Sequence, residues 1–541
     1  MKKIFLALAS AAMLIGPLTS CSSDLDIPKK GNQGEESAYY HTDEDAKSAI
    51  ALCYWQWTNL YNGIAWTADM LSDDIYCGGG DSGDDPDYHQ LNNYNIGTEN
   101  GRVESDYSGL YTLIYYSNLV IEKVGANENL TPFMKQCIAE AYFFRGFAHF
   151  WLATYWGNPP IVDHLLDPSE YHVSNSADGE CMAQAAKDIE TAINSGALVS
   201  KASPTDASKM TYITLEAAKA WLGKTYMYQG NYAEGAKIME DVINSGKYRL
   251  YDGEYENIVK YVSNWSTEGV LECAAPDDPA YEIAWTFMTY NFISPGWRND
   301  AFNWDGLYYF DDNDDWVKKP QWEDFNTSGY GFCNPRKSAY DAFVASDGAD
   351  GYRTQSVIKT VDFVKNQMRL KLIKNLHGHD VYFNWKNRFL VSDMIYDNGG
   401  WNVVCKTTQR WMRYAEVLLN AAECQFRAGN TSKALAYVNE VRTRAKATPY
   451  TSIDMDKIRL ERRVELFNEH NRWPDLVRWG MAADVLKDQG KVTLNLTPQW
   501  TTVVDGSSNP AFGFQAGKNE RLPYPHREVL LNPNIKQNPG Y

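Results

Sequence analysis

The chain has 541 residues, 44% of them hydrophobic and 22% charged. These are globular values: they exclude wholesale disorder and allow one large domain or two to four smaller ones. Lys and Arg number 51 against 69 Asp and Glu, so the net charge is −18. An acidic surface repels a phosphate backbone, which argues against nucleic acid as a partner. Aromatic residues make up 14%, with 18 Trp and 36 Tyr, more hydroxyl- and indole-bearing rings than a core needs.

The first twenty residues read as a signal peptide. Lys2 and Lys3 precede an apolar run from Ile4 to Ile15, too short to span a membrane. Leu18-Thr19-Ser20-Cys21 is similar to a bacterial lipobox, in which the cysteine is acylated and becomes the new N-terminus. Two or more acyl chains, at ~0.8 kcal/mol per buried CH₂, make a stable anchor. Residues 21–38 then form a lipidated tether. Asp24 and Asp26 fit the acidic export address of surface lipoproteins. No later run of eighteen apolar residues occurs, so the membrane is reached through the lipid anchor only. None of the other eight cysteines forms a C-x-x-C pair. Cys137 and Cys424 sit in helical patterns as buried thiols, and pairing among the eight stays open.

The segment 39–251 is expected to be a helical scaffold. Thr42 caps a helix that runs to about Leu60, with Asp43, Glu44 and Asp45 in its first turn. A Gly/Asp-rich loop covers Ser72 to about Asn100. Val103, Tyr107, Leu110, Ile114 and Ile121 mark a second helix. Thr131-Pro132 opens a third, which Gly157 and Pro159-Pro160 end. Residues 214–246 and 413–445 each read as a helix–turn–helix pair with small residues on the first helix. Gly230-Asn231 and Gly429-Asn430 occupy the same turn, the tetratricopeptide pattern. Between them, residues 252–406 form an irregular insert of loops, short strands and a few helical turns. Residues 407–541 return to helix before an irregular, proline-rich close. The fold class is therefore mostly α, with discontinuous tetratricopeptide-like helix pairs carrying a loop-rich, aromatic-rich insert.

The insert is where binding is expected, because loops on a rigid scaffold carry function. Residues 281–332 hold 16 Phe, Tyr or Trp in 52, about twice the chain average. Trp297, Asn303, Trp304, Asp305 and Trp322 place flat rings beside polar side chains. That pairing suits a sugar, whose C–H face takes a ring and whose hydroxyl rim takes Asn, Asp or Arg. Catalytic signals are absent: there is no G-x-S-x-G, H-E-x-x-H or Walker A motif. Acid pairs at Asp73-Asp74, Asp84-Asp85, Asp311-Asp312 and Asp314-Asp315 do not specify a glycosidase geometry and read as solvated turns. His377-Gly378-His379-Asp380 offers two histidines, not three metal ligands. Asp311, Asn313 and Asp315 begin like a calcium loop, but Trp316 and Trp322 stand where its glycine and glutamate belong. No cofactor is expected, and any Ca²⁺ site would be irregular.

Four blocks carry a resemblance. AEAYFFRGFAHFWLATYWGNPP at 139–160, RWMRYAEVLLNAAE at 410–423, IRLERRVELFNEHNRWPDLVRWG at 458–480 and LPYPHREVLLNPNIKQNPGY at 522–541 are similar to the SusD/RagB family. LYTLIYYSNLVIEKV at 110–124 matches that family's second helix. Tyr142, Phe143, Phe147, Phe150 and Trp151 read as a core-packing face. Glu461, Arg462, Arg463 and Glu465 read as charge pairs along one helix, closed by Arg472 and Trp473. The blocks are scaffold and not site. The resemblance implies a non-catalytic, lipid-anchored protein on the outer-membrane surface. It would capture oligosaccharide for a SusC-like TonB-dependent outer-membrane transporter. A peptide ligand, as in the RagB branch, is the alternative, and a glycoside hydrolase the third reading. The family also draws ligand contacts from the loop after the first helix, which adds Asp73, Asp74, Tyr76, Tyr88 and Asn93 as a second wall.

Overall fold

The computed structural model describes residues 39–275, 297–396 and 403–541. The signal peptide, Cys21, the tether and the rings between Tyr281 and Phe292 lie outside the described residues.

Helix α1 spans Asp43–Met70. Thr42 caps it, with Asp45 closing a reciprocal capping box. It runs ten residues beyond the expected end near Leu60, straight through Gly63. A Cβ at Gly63 would lie 2.0 Å from Asp106 Oδ1, so the glycine makes room for a buried carboxyl group and does not stop the helix. The expected loop after it contains strand β1, Ile75–Gly78, and helix α2, Pro86–Asn93. Asp85 caps α2 and Pro86 starts it, a local signal that the glycine-rich surroundings obscure. Helices α3, Gly101–Leu119, and α4, Pro132–Trp156, follow the expected boundaries closely. Thr131 caps α4, and Gly157 ends it at φ +79°.

After α5, Glu180–Asn194, come the paired helices α6, Leu215–Tyr228, and α7, Tyr232–Asn244. Strand β2 covers Gly269–Cys273. The insert adds β3, Phe302–Asn303, then β4, Tyr308–Phe310, and β5, Trp316–Lys318. Next come β6, Phe332–Pro335, helices α8, Lys337–Asp347, and α9, Tyr352–Val357, and further short strands. The C-terminal part contains the pair α10, Tyr414–Arg427, and α11, Thr431–Arg444, then α12, Met455–Glu465, and α13, Arg472–Arg478.

The two helix pairs are distant in sequence but stack directly. A Cβ on Gly235 of α7 would lie 3.1 Å from Cys424 Sγ of α10, so the missing side chain sets the approach of these helices. The buried Lys224 of α6 pairs with Glu416 of α10 at 2.7 Å. Arg145 of α4 is paired with Asp188 of α5 at 2.6 Å, in the core. The core between the pairs and the first helices is aromatic. Phe147 packs 4.7 Å from Trp221 and 4.9 Å from Trp411, and Trp57 and Trp151 close the group. A ring of this size buries roughly 150–250 Å², or ~4–6 kcal/mol before entropy at about 25 cal/mol per Å². The eight cysteines of the described residues are buried free thiols.

A short antiparallel pairing closes the insert at its base. Gln409 sits opposite Cys273, and Arg413 opposite Gly269. Ion pairs then fix it to the C-terminal helices. Glu465 takes Arg353 at 2.8 Å and Arg413 at 2.7 Å, and also pairs with Arg444. Arg413 reaches Glu268 at 2.6 Å and Glu469 at 2.7 Å, while Lys386 pairs with Glu469. The four charges at 461–465 therefore do not pair along their helix as expected. Glu461 goes to Arg353 and Arg442, Arg462 to Asp475, and Arg463 to Asp73 and Asp74. Buried charges are held wherever a partner on another element neutralises them, and these partners lie from 13 residues (Arg462–Asp475) to 390 residues (Arg463–Asp73) away.

Removing one member of this network leaves buried charges uncompensated. Arg413→Met is expected to cost about 3–5 kcal/mol in chemical denaturation. Lys433→Met, which breaks the half-exposed pair with Glu240, should stay within about 0.5–1 kcal/mol. Equal losses would contradict this account of the network.

Candidate functional site

Ten residues are expected to meet ligand, and the structure places them in two different settings. Asp73 and Asp74 are buried under the C-terminal helices. Asp73 pairs with Arg472 at 2.7 Å and Arg463 at 2.8 Å, and Asp74 pairs with Arg463 at 2.8 Å. Burial alone would raise the Asp73 carboxyl, but the two guanidinium groups outweigh it and hold the carboxyl well below the usual range. Burial keeps Asp74 above it. Tyr76 lies under Arg336, whose guanidinium carbon sits 3.7 Å from the ring centroid. Tyr88 is buried beneath Arg102 at 4.5 Å. Asn93 is half-buried, and its carbonyl accepts from Gly513 N. The Ser72–Asn100 segment is thus cemented between scaffold and insert: β1 pairs with β6, Ile75 opposite Pro335. As a wall of polar groups open to ligand it is corrected. Its acids and rings are spent on holding the parts together.

Trp297 is corrected in the same way. It is fully buried at the centre of a second apolar cluster, 5.0 Å from both Phe325 and Phe383. Its indole N–H donates to Asn384 O. Its ring packs among Leu307, Val364, Leu370 and Leu376 in that core, while Asn299 and Asp300, close to it in sequence, are exposed.

Trp304 and Trp322 stand at the rim of that cluster, half-buried. Trp304 packs 5.1 Å from Phe302 and donates to Asn299 O at 2.9 Å. Trp322 meets Phe363 and Phe325 edge-on. Asn303 is half-buried, and its Oδ1 accepts from Asp305 N at 2.8 Å, shaping the turn into β4. The Asp305 side chain is exposed beside it.

Among the described residues of the insert, Tyr309, Phe310 and Trp316 of the β4–β5 hairpin are exposed rings, with Tyr261 and Tyr330 exposed elsewhere. Tyr308 pairs with Lys318 and Phe310 with Trp316, so Tyr308, Phe310 and Trp316 share one face of the ribbon. Tyr308 and Trp316 are stacked, with centroids 5.6 Å apart and planes 8° apart. Phe310 lies 4.7 Å from Trp316 and is 64% exposed; Trp316 is 48% exposed. A two-stranded ribbon is marginal alone, and its base supplies the support. Leu307 is buried, Lys319 N donates to Leu307 O, and the Lys318 and Lys319 ammonium groups donate to Phe325 O and Gly306 O. At the tip, the Asp311 carboxylate accepts the Asn313 and Asp315 amides, each at 2.9 Å. That is an Asx-type turn with Asp314 at φ +61°. These residues, considered above as the start of a calcium loop, thus form a hairpin turn. The signal was present in the sequence: two short segments of β-favouring residues, Tyr308-Tyr309-Phe310 and Trp316-Val317, separated by an Asp/Asn-rich turn.

The other acid pairs are likewise committed. Asp84 accepts from Gly80 N at 2.7 Å, and Asp85 caps α2 and pairs with Arg102. His377 and His379 are buried, and the His379 ring contacts Phe383 at 4.6 Å. Among the described residues no group of three or more His, Cys, Asp or Glu is arranged to hold a metal ion. No helix among them is long and apolar enough to cross a membrane.

This frame of stacked helix pairs carrying a loop-rich insert is the fold of the SusD-like proteins. Residues 296–541 match the model of the SusD family, and residues 33–227 match one described as starch-binding associating with outer membrane. The chain belongs to the SusD/RagB family. It is 25% identical to SusD-like protein P2 of Formosa agariphila over 98% of both chains. It is 24% identical to a SusD-like protein of Bacteroides ovatus, covering 100% of this chain and 98% of that one. Among solved structures, a laminarin-binding SusD-like protein superposes with a TM-score of 0.75 at 24% identity, covering 93% of this chain and 100% of that one. Surface glycan-binding protein A of Bacteroides thetaiotaomicron, in complex with laminarihexaose, gives 0.71 at 22% identity, covering 92% and 99%.

The contrast between inner and outer rings is measurable. Trp297→Ala should lower unfolding stability by roughly 3–5 kcal/mol, the cost of emptying a core ring site. Phe310→Ala should leave thermal unfolding unchanged, since its ring is mostly in solvent. Equal destabilisation would contradict the placement of both rings.

Proposed function

We propose that the protein is a non-catalytic, surface-exposed glycan-binding lipoprotein. It captures oligosaccharide on the aromatic face of the β4–β5 hairpin, flanked by Trp304, Trp322 and Asp305. The observation that carries this reading is the parallel Tyr308–Trp316 stack with Phe310 beside it, with Phe310 and Trp316 exposed and Tyr308 half-buried on a braced ribbon. Solvent-facing rings lose apolar burial that a sugar's C–H face restores. Two proteins of the same fold, one laminarin-binding and one solved in complex with laminarihexaose, support a neutral glycan as the ligand class. The commitment of the acid pairs to caps, turns and ion pairs supports a binding role without hydrolysis. Acylated Cys21 would hold the protein at the outer membrane. The bound glycan would pass to a SusC-like TonB-dependent transporter, the partner that the family resemblance implies.

Stacking contributes ~0.5–1.5 kcal/mol per ring beyond buried area, so affinities fall between micromolar and millimolar. Titration calorimetry with a panel of oligosaccharides, laminarihexaose included, tests the reading. Trp316→Ala should weaken binding tenfold or more with an unchanged melting temperature. Affinity should rise with chain length and hold steady with added salt. Full affinity in Trp316→Ala and Phe310→Ala together would remove the hairpin as the site. Binding of peptides with no glycan bound would establish the peptide alternative.

A further inference from the structure

A cleft of about 90 Å³ opens between α1 and the insert, apart from the hairpin. Two half-buried rings of α1, Tyr61 and Trp66, form one side of it. The other side is polar and oddly unsatisfied. Arg388 is only 7% exposed and is tightly fixed. Its guanidinium stacks 3.6 Å from the Trp385 ring centroid, Nη1 donates to Trp385 O at 2.6 Å, and Nη2 meets Glu256 at 3.3 Å. Its Nε is buried with no hydrogen-bond partner. Asn387 Oδ1 and Asn468 Oδ1, on the same lining, are also buried and unpartnered.

A buried polar group left without a hydrogen bond is costly, so three around one cleft mark a place made for something else. The chemistry of the three atoms narrows the choice. One is a donor and two are acceptors, and a hydroxyl group serves both. The field excludes an anion, because Arg388 and Arg410 stand among the carboxyl groups of Asp69, Asp393 and Glu469. The rings of Tyr61 and Trp66 add an apolar wall suited to C–H groups. The volume holds roughly six to nine water-sized groups, enough for most of one sugar ring and not for a chain passing through.

We propose that this cleft is a second ligand site that takes a single uncharged polyhydroxyl unit, either a free monosaccharide or the end unit of a glycan. The inference rests on the glycan reading of the protein and adds a pocket for one unit to a platform for several. The link between the two is a packed column of rings: Trp385 stacks on Phe325 at 5.9 Å, and Phe325 contacts both Trp304 and Trp322.

The test uses the full chain and saturation-transfer NMR. One arm uses the methyl glycosides of glucose, galactose and mannose, and the other uses laminarihexaose and the strongest-binding oligosaccharide of a glycan panel. Asn387→Leu removes an acceptor at nearly constant volume, and Ala65→Leu fills the cleft from α1; melting curves confirm that each is folded. A free-sugar site predicts transfer to at least one methyl glycoside, weakened tenfold or more by Asn387→Leu and retained by Trp316→Ala. An end-unit site predicts that the same loss appears in the oligosaccharide arm alone. If both folded cleft variants bind every probe as the parent does, the proposal is overturned, while loss in Trp316→Ala in that same experiment leaves the hairpin reading standing.

Discussion

A buried network of five cations and five carboxylates holds the parts of this protein in fixed relation. Arg353, Lys386, Arg413, Arg442 and Arg444 are set against Asp347, Glu268, Glu461, Glu465 and Glu469. Glu268, Asp347, Arg353 and Lys386 come from the insert, and the rest come from the C-terminal part, including the strand Gln409–Arg413 that leads into its helices. Each charge pays a desolvation cost that only its partners offset, so the network tolerates one arrangement of insert on scaffold and few others. It is a device for position more than for net stability.

That rigidity matters because the binding surface is slight. A two-stranded ribbon with three rings on one face cannot hold itself in place, and it binds well only if its geometry is set beforehand. The insert supplies this in layers. Trp297, Phe325, Phe383 and Trp385 form a small aromatic core, and the ion network fastens that core to the helices. The same residue type thus does opposite jobs a few residues apart: Trp297 is interior and Trp316 is surface.

The helical frame was legible in the sequence because its signals are local. Thr42 and Thr131 are caps, Pro132 and Gly157 bound α4, and small residues mark the paired helices. What was not legible is contact between distant parts. Arg463 reads as a helix-surface charge until Asp73 and Asp74 arrive from 389 and more residues away. Trp297 and Trp304 both adjoin polar residues, and composition does not separate a ring that fills a core from one at its rim. The hairpin did carry a local signal, the β-favouring residues Tyr308–Phe310 and Trp316–Val317 on either side of an Asp-rich turn. Its acids drew attention to metal chemistry instead. The cleft beside Arg388 has no sequence signature, since its lining comes from residues 61 to 469.

A crystal structure with the tightest-binding oligosaccharide of a glycan panel tests the central claim most directly. The account predicts sugar rings lying against Phe310 and Trp316, with the ion network and the buried Trp297 unmoved. Sugar seated against Asp73, Asp74 and Tyr76, with their ion pairs broken to admit it, would contradict it.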